Sequence, residues 1–348
     1  MTLQLSSPTP DVGSFPFVAA EQPSFPPAGL VQSMQRRIAA TGLDLSGLTV
    51  LTEAATGAYS VTPVIAALAG AGHVHAVARP SRHGSVAAAH AAVEALAHAA
   101  GIAERIELAE SVPDALLPEV DIVTNSGHLR PIGPALIERL PAKAVIGLMF
   151  EAWEFRPTDI DLPCCRDRGI RIVGVNERHP AIDVFSFLGP LCARMLSDAG
   201  VLPAGGPVAV LCDNDFGPYL FDGLTRSGFN VSLYGGAADL PARGWNAVVV
   251  ALRPTAAPRI DADGALHLAK VAPGARIVQF WGDIDRVALA TARLAAHPRR
   301  APPTGHMGIL LDALGPEPIV RLQTGGLKAA EWVWRGGAVA PGGFAELL

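Results

Sequence analysis

Charge is scarce in this sequence: only 17% of residues are Asp, Glu, Lys or Arg, and aromatic residues are scarcer still at 6%. The net charge is −5, and no basic cluster exceeds Arg36-Arg37 or Arg299-Arg300. A nucleic-acid partner needs a basic patch or stripe, so that class is excluded. The four cysteines, Cys164, Cys165, Cys192 and Cys212, show neither a C-x-x-C nor a histidine-paired spacing. No metal site is therefore expected, and they read as reduced, partly buried thiols. Every long apolar stretch is broken by Gly, His, Pro or Arg before it reaches membrane-spanning length, so no membrane association is expected. Residues 1–30 lack a basic segment followed by an apolar run, which is not the pattern of a signal peptide. A cytoplasmic protein with a loosely ordered Pro-rich arm at its start is the expectation.

Half the residues are hydrophobic, with Ala and Gly abundant, which suits helices packed on parallel sheets. A chain of 348 residues predicts two domains. Short β-branched runs near 48–52, 73–78, 105–108, 120–124, 144–149 and 170–175 predict strands, with helices at 61–70, 85–100, 112–117 and 133–140 between them. In the segment 181–198, Ile182, Phe185, Leu188, Leu191 and Met195 recur at three and four, predicting a helix that crosses between domains. Its apolar face suggests a homodimer. Gly205-Gly206-Pro207 punctuates the chain, and a second series follows: strands near 207–212, 230–234, 246–251 and 275–280, helices at 217–227 and 285–295. A last strand near 319–322 and a helix from about 326 would return to the first domain. The predicted class is α/β, two Rossmann/flavodoxin-like domains with parallel sheets and an interdomain cleft. An arm and a helical patch at Val31–Ala40 occupy 1–45, the first domain 46–185 plus 300–348, and the second 186–299.

In open parallel sheets ligands bind outside the carboxyl ends of the strands, and here those ends are crowded with polar residues. They are Thr52-Glu53-Ala54-Ala55-Thr56-Gly57, Asn125-Ser126-Gly127-His128-Leu129-Arg130, Glu151-Ala152-Trp153-Glu154-Phe155-Arg156 and Asn176-Glu177-Arg178-His179-Pro180. The second domain adds Cys212-Asp213-Asn214-Asp215, Gln279-Phe280-Trp281-Gly282-Asp283 and Thr304-Gly305-His306. Arg, His, Glu and Trp together suit a small-molecule substrate bearing a carboxylate or phosphate, with proton transfer in a dry site. A lone Asn, Ser or Asp after a strand is more often a helix cap, so Ser126, Asp183 and Asp213 read as caps taken singly. Trp153 and Trp281 read as packing residues, and His73, His75, His83, His90 and His98 as ordinary histidines.

The run Asp159-Ile160-Asp161-Leu162, then Cys165, Arg168-Gly169-Ile170 and Val173, resembles a segment of the D-2-hydroxyacid dehydrogenases, the formate/glycerate dehydrogenase group. Leu252-Arg253-Pro254-Thr255 looks like that family's L-x-P-T loop, and Pro273-Gly274-Ala275 like its P-G-A segment. The order of features resembles the family from about 105 to 327. This implies a flavodoxin-like substrate domain, a Rossmann domain that binds NAD or NADP, and a dimer.

The departures bear on function. A dinucleotide fingerprint needs glycines where the backbone approaches the pyrophosphate. At those three positions stand Cys212, Asn214 and Gly217, and only the last, which serves helix packing, is kept. Asp213 and Asp215 lie where phosphate charge would fall. No acid follows Leu233-Tyr234 to bind a ribose hydroxyl. Trp281 stands beside the place of the family's catalytic Arg, Arg321-Leu322-Gln323-Thr324 where its His belongs, and Asp312 or Glu317 where its acid does.

The expected activity is thus a divergent NAD(P)-dependent oxidoreductase. A non-redox enzyme on the same scaffold is the alternative, its Asp213-Asn214-Asp215 loop holding an amine, a sugar hydroxyl or a metal, and a ligand-binding or inactive partner subunit is a third reading. Catalytic roles fall on His179 or His128 as acid/base, Arg178 or Arg130 as carboxylate clamp, and Glu177, with His306 a further replacement for the family's lost groups. Substrate contacts fall on Asn125, Ser126, Gly127, Arg130, Glu151, Asn176, Trp281 and His306, and cofactor contacts on Asp213, Asn214, Asp215, Gly217 and Pro254.

Overall fold

The structure is a computed structural model and describes residues 25–81 and 83–348; most of the expected N-terminal arm lies outside them. The first sheet grows from α1 (Pro27–Thr41), β1 (Thr49–Glu53), α2 (Val61–Leu68), β2 (His73–Val77), α3 (Val86–Ala100), β3 (Ile106–Ala109), β4 (Ile122–Thr124), α4 (Pro134–Ile137), β5 (Val145–Gly147), α5 (Leu162–Arg168) and β6 (Arg171–Val175). The second follows α6 (Leu188–Asp198) with β7 (Pro207–Leu211), α7 (Phe216–Arg226), β8 (Asn230–Tyr234), β9 (Ala247–Ala251), α8 (Ala262–Val271), β10 (Arg276–Trp281), α9 (Arg286–Thr291) and β11 (Ala295–His297). The chain then returns through α10 (Glu317–Trp334) and β12 (Ala345–Leu347), which pairs antiparallel with β6.

Strand order runs β12-β6-β5-β4-β1-β2-β3 in the seven-stranded sheet and β11-β10-β9-β7-β8 in the five-stranded one. The first is therefore the 3-2-1-4-5-6 order of dinucleotide-binding sheets with one antiparallel strand added, and the second is the 2-1-3-4-5 flavodoxin-like order. This reverses what the family resemblance implied for the two halves, because topology follows crossover lengths that short motifs do not report.

Each sheet is buried on both faces, as parallel sheets require. Val50, Ile122, Val145 and Val173 face one core of the first sheet, shared with α1, α2, α3 and α10, while Leu51, Val123 and Ile146 face the other. Leu30, Val31 and Met34 of α1 are part of that first core, so residues 27–41 belong to the body of the protein and not to an arm. Two further cores sandwich the second sheet, one beneath α6 and α7, the other beneath α8 and α9.

Several expected elements differ. Residues 319–322 are helical, the first turns of α10, because the short apolar run continues at helical period through Leu327, Ala330 and Val333, all buried. The segment 181–198 is helical only from Leu188; Asp183 has φ +50° and a 3₁₀ turn fills 185–187. A single 3₁₀ turn, 117–119, replaces the helix expected at 112–117. The face of 181–198 that suggested a dimer is covered by the chain itself: Ile182, Phe185, Leu188, Leu191 and Met195 are all buried, and Gly189 of α6 lies against Gly223 of α7. Among the described residues no helix is long and apolar enough to cross a membrane.

Candidate active site

The ends of β5 and β6 deliver three glutamates to one place. Glu151 is fully buried and accepts the indole N–H of Trp153, the backbone N–H of Glu177 at 3.1 Å and Nε of Arg178 at 3.2 Å. Arg178 also reaches Asp215 Oδ2 at 2.6 Å and Glu346 Oε1 at 3.3 Å. One guanidinium thus joins the end of β6, strand β12 and the loop after β7. Glu177 is buried as well, with the Arg178 charge acting on it only weakly. Burial, and the negative charges of Glu154 and Glu151, hold its carboxyl well above the ordinary range. Burial and Glu151 raise Glu154 to about 7. Burial raises Glu151 too, opposed by its bonds from Trp153 and Arg178.

Trp153 carries the first sheet's edge into the second sheet's core, edge-on to Trp281 at 5.4 Å and to Phe216 at 6.0 Å. The Arg253 guanidinium, on the loop after β9, lies 4.8 Å over the same indole. Among the described residues Arg253 makes no ion pair, and it is exposed. A cation, an aromatic wall and two carboxyls shifted toward neutrality thus line one region between the sheets.

At the first sheet's switch point, between β1 and β4, the hydroxyls of Thr52, Thr124 and Ser126 form a buried chain with spacings of 2.8 and 3.0 Å. Glu53 accepts the backbone N–H of His128 at 3.0 Å, and a side chain at Gly127 would stand 3.3 Å from that carboxylate. Arg130 donates to Asn125 Oδ1 and to the Asn125 carbonyl and pairs with Asp159 at 3.4 Å. The Tyr59 hydroxyl is deep among these groups: burial, then the charges of Asp312, Glu53 and Glu177, push it above its usual value while Arg130 lowers it.

The second sheet's switch point, between β7 and β9, is filled by its own side chains. Asp213 accepts the backbone N–H of Arg253 and an N–H of Arg259, each at 2.8 Å. Asn214 donates to the Ala251 carbonyl at 2.7 Å and accepts from Phe216 N at the start of α7. A side chain at Gly217 would meet only ordinary contacts, so helix packing does not require that glycine.

The structure revises several residue readings. Arg178 and Arg130, expected as substrate clamps, each hold carboxylates of the protein itself, Glu151 and Asp159. His179 accepts Ala181 N–H at Nδ1 and stacks on Phe344 at 4.0 Å; burial keeps its ring below the usual pKa. His128 Nδ1 accepts the Arg79 N–H. Asn176 ties the turn to Gly343. Trp281 is buried and donates to the Gly305 carbonyl, a packing role. His306 lies 3.4 Å from Arg156 at the protein surface, and Pro254 sits on the loop after Arg253. Ser126, Asp183 and Asp213 cap no helix; Asp183 pairs with Arg321. Glu53, Tyr59, Glu154 and Arg253 join the site without having been singled out. Glu53 and Glu154 stood in strand-end segments and Arg253 in the L-x-P-T-like loop, but their value depends on burial and on the facing sheet, which one strand cannot report. Among the described residues no three His, Cys, Asp or Glu side chains converge as metal ligands.

Two doubly wound sheets joined through a returning helix define an α/β fold shared with several solved structures. The chain is similar to a dipicolinate synthase chain from Bacillus subtilis, with a TM-score of 0.55 and 12% identity over 85% of this chain and 99% of that one. It is similar also to the dipicolinate synthase chain from Bacillus halodurans (TM-score 0.52, 12% identity, 81% and 96% covered). TP0037 from Treponema pallidum, a D-lactate dehydrogenase, has the same fold (TM-score 0.50, 11% identity, 84% and 98% covered). No family model matches the chain, and no curated protein matches it in sequence. At these identities the likeness establishes architecture, and function rests on the site.

Proposed function

We propose that this protein is an enzyme acting by glutamate acid–base chemistry on a small, polar, carboxylate-bearing metabolite in the cleft between the two sheets. The observation that carries this reading is the gathering of Glu151, Glu154 and Glu177 beside Trp153, over which Arg253 lies. Arg253 holds the substrate carboxylate, and Trp153 walls the site from water. Glu154, titrating near neutrality, donates or accepts the proton, and the neutral Glu177 carboxyl serves as a hydrogen-bond donor. Positioned acid–base groups contribute about 10²–10⁴-fold. Glu154→Gln is therefore expected to lower kcat by about 10² or more, while Arg253→Ala raises KM with a smaller effect on kcat. The assay is NMR-detected solvent deuterium exchange or turnover across small keto, hydroxy and amino acids. Full turnover by folded Glu154→Gln would reject the reading.

A second reading is an NAD(P)-dependent oxidoreductase on keto or hydroxy acids, favoured by the fold shared with the D-lactate dehydrogenase. Against it stands the Asp213 carboxylate, which occupies the anion-binding place of the second sheet and holds the Arg253 and Arg259 N–H groups that a phosphate would need. Calorimetric titration with NADH and NADPH separates the two: micromolar binding abolished by changes at Asn214 or Gly217 supports the oxidoreductase, and no binding there removes it.

A further inference from the structure

The first sheet has the strand order of dinucleotide-binding folds, in which the crevice lies where the chain reverses between β1 and β4. Three groups at that point await a ligand. Asn125 is fully buried, and its Nδ2 has no partner among the described residues. Its orientation is fixed, because Arg130 Nε can only donate and so must face Oδ1. A buried amide donor without an acceptor is costly, and such groups commonly mark a missing ligand or water. Glu53 offers a carboxylate that accepts from His128 N, and glycine at 127 keeps a side chain off it, since a Cβ there would stand a tight 3.3 Å from Oε2. Glu53 is registered opposite Val77, the last residue of β2. Its carboxylate therefore stands one strand from the place where folds of this order put their ribose-binding acid.

The charge of the crevice selects among nucleotides. Glu53 and Asp312 act on Tyr59 with the same sign, and Arg130, which acts against them, pairs with Asp159. A polyphosphate beside Glu53 would bring charge of the same sign. We propose that the β1/β4 crevice binds a nucleoside whose ribose hydroxyls donate to Glu53, whose acceptor atoms take the Asn125 amide, and whose 5′ arm is neutral or cationic. This site is separate from the Arg253–Glu154 region and does not depend on the acid–base reading; a protein inactive on every acid would leave it untouched.

The test is calorimetric titration of the full chain with four probes: adenosine, S-adenosylmethionine, ATP and NADH. The first two are expected to bind, and the last two to bind about tenfold or more weakly. Loss of a charge-assisted hydrogen bond in Glu53→Gln should weaken adenosine and S-adenosylmethionine by about tenfold or more. Gly127→Val, whose side chain projects into the same space, should do the same, and Asp213→Asn in the second sheet should leave both unchanged. Thermal melts of each variant separate unfolding from loss of binding. Absence of binding by adenosine and S-adenosylmethionine at millimolar concentration overturns the proposal. So does tighter binding of NADH or ATP, or binding that Asp213→Asn abolishes while Glu53→Gln and Gly127→Val do not.

Discussion

Glu154 and Glu177 carry protons in the folded protein that they release when it unfolds near neutral pH. The carboxyl of Glu154 rises from 4.5 to about 7 on folding, and that of Glu177 is raised well above its ordinary value. A carboxyl raised in the native state contributes stability that is complete below its unfolded pKa and is lost as pH rises through the folded one. The melting temperature should therefore fall between about pH 5 and pH 8, and Glu154→Gln should flatten that fall; an unchanged slope in the variant would remove Glu154 as its source. Both glutamates were visible in the sequence as strand-end residues, and Glu177 was singled out there. What the sequence could not convey is that Arg178, its neighbour, pairs with Glu151, Asp215 and Glu346 and acts on Glu177 only weakly. Asn125 shows the same limit: its position after β4 was legible, its orphaned amide was not.

Helices α6 and α7 meet at Gly189 and Gly223, where a methyl group on either would lie within 2.5 Å of the other's Cα. Alanine is favoured over glycine inside a helix by about 1 kcal/mol, yet overpacking a close contact costs about 1–3 kcal/mol. Gly223→Ala should thus destabilise the protein in urea titrations, against its propensity; stabilisation would mean that the two helices can separate freely. These glycines passed unnoticed in the sequence because a helical pattern with two small residues reads the same whether a second helix lies there or solvent does. The start of α10 was misread for a related reason. Ile319-Val320-Arg321-Leu322 is a short apolar run of β-branched character, and only the following turns, buried against the first sheet, decide for helix. Strands β11 and β12 are three residues each and carry too little pattern to detect.

At the scale of the whole molecule, Arg178 ties the two sheets together through Glu151 and Asp215. Its side chain is 34% exposed, against 0% for Glu151. Removing one partner of a buried pair costs about 3–5 kcal/mol, and partial exposure lowers the expectation for Arg178→Ala to about 2 kcal/mol. The loss should appear in hydrogen exchange as faster opening of the segments around 151–154 and 213–216, before the strands of either sheet. Protection unchanged in those segments would show that Trp153, lodged beside Phe216 and Trp281, holds the sheets together unaided.

The sequence by itself determined the α/β class, ten of the strands and the crowding of polar residues at their carboxyl ends, because hydrophobic period and the punctuation of Gly and Pro are local properties. It also showed that the glycine fingerprint is broken after β7. Only the tertiary structure decided which sheet has which strand order, which arginines are already paired, and that Asp213 fills the crevice its own loop creates. Those outcomes depend on charges and backbones brought together from opposite ends of the chain, where Coulomb energy and burial act over ångströms that sequence separation does not measure.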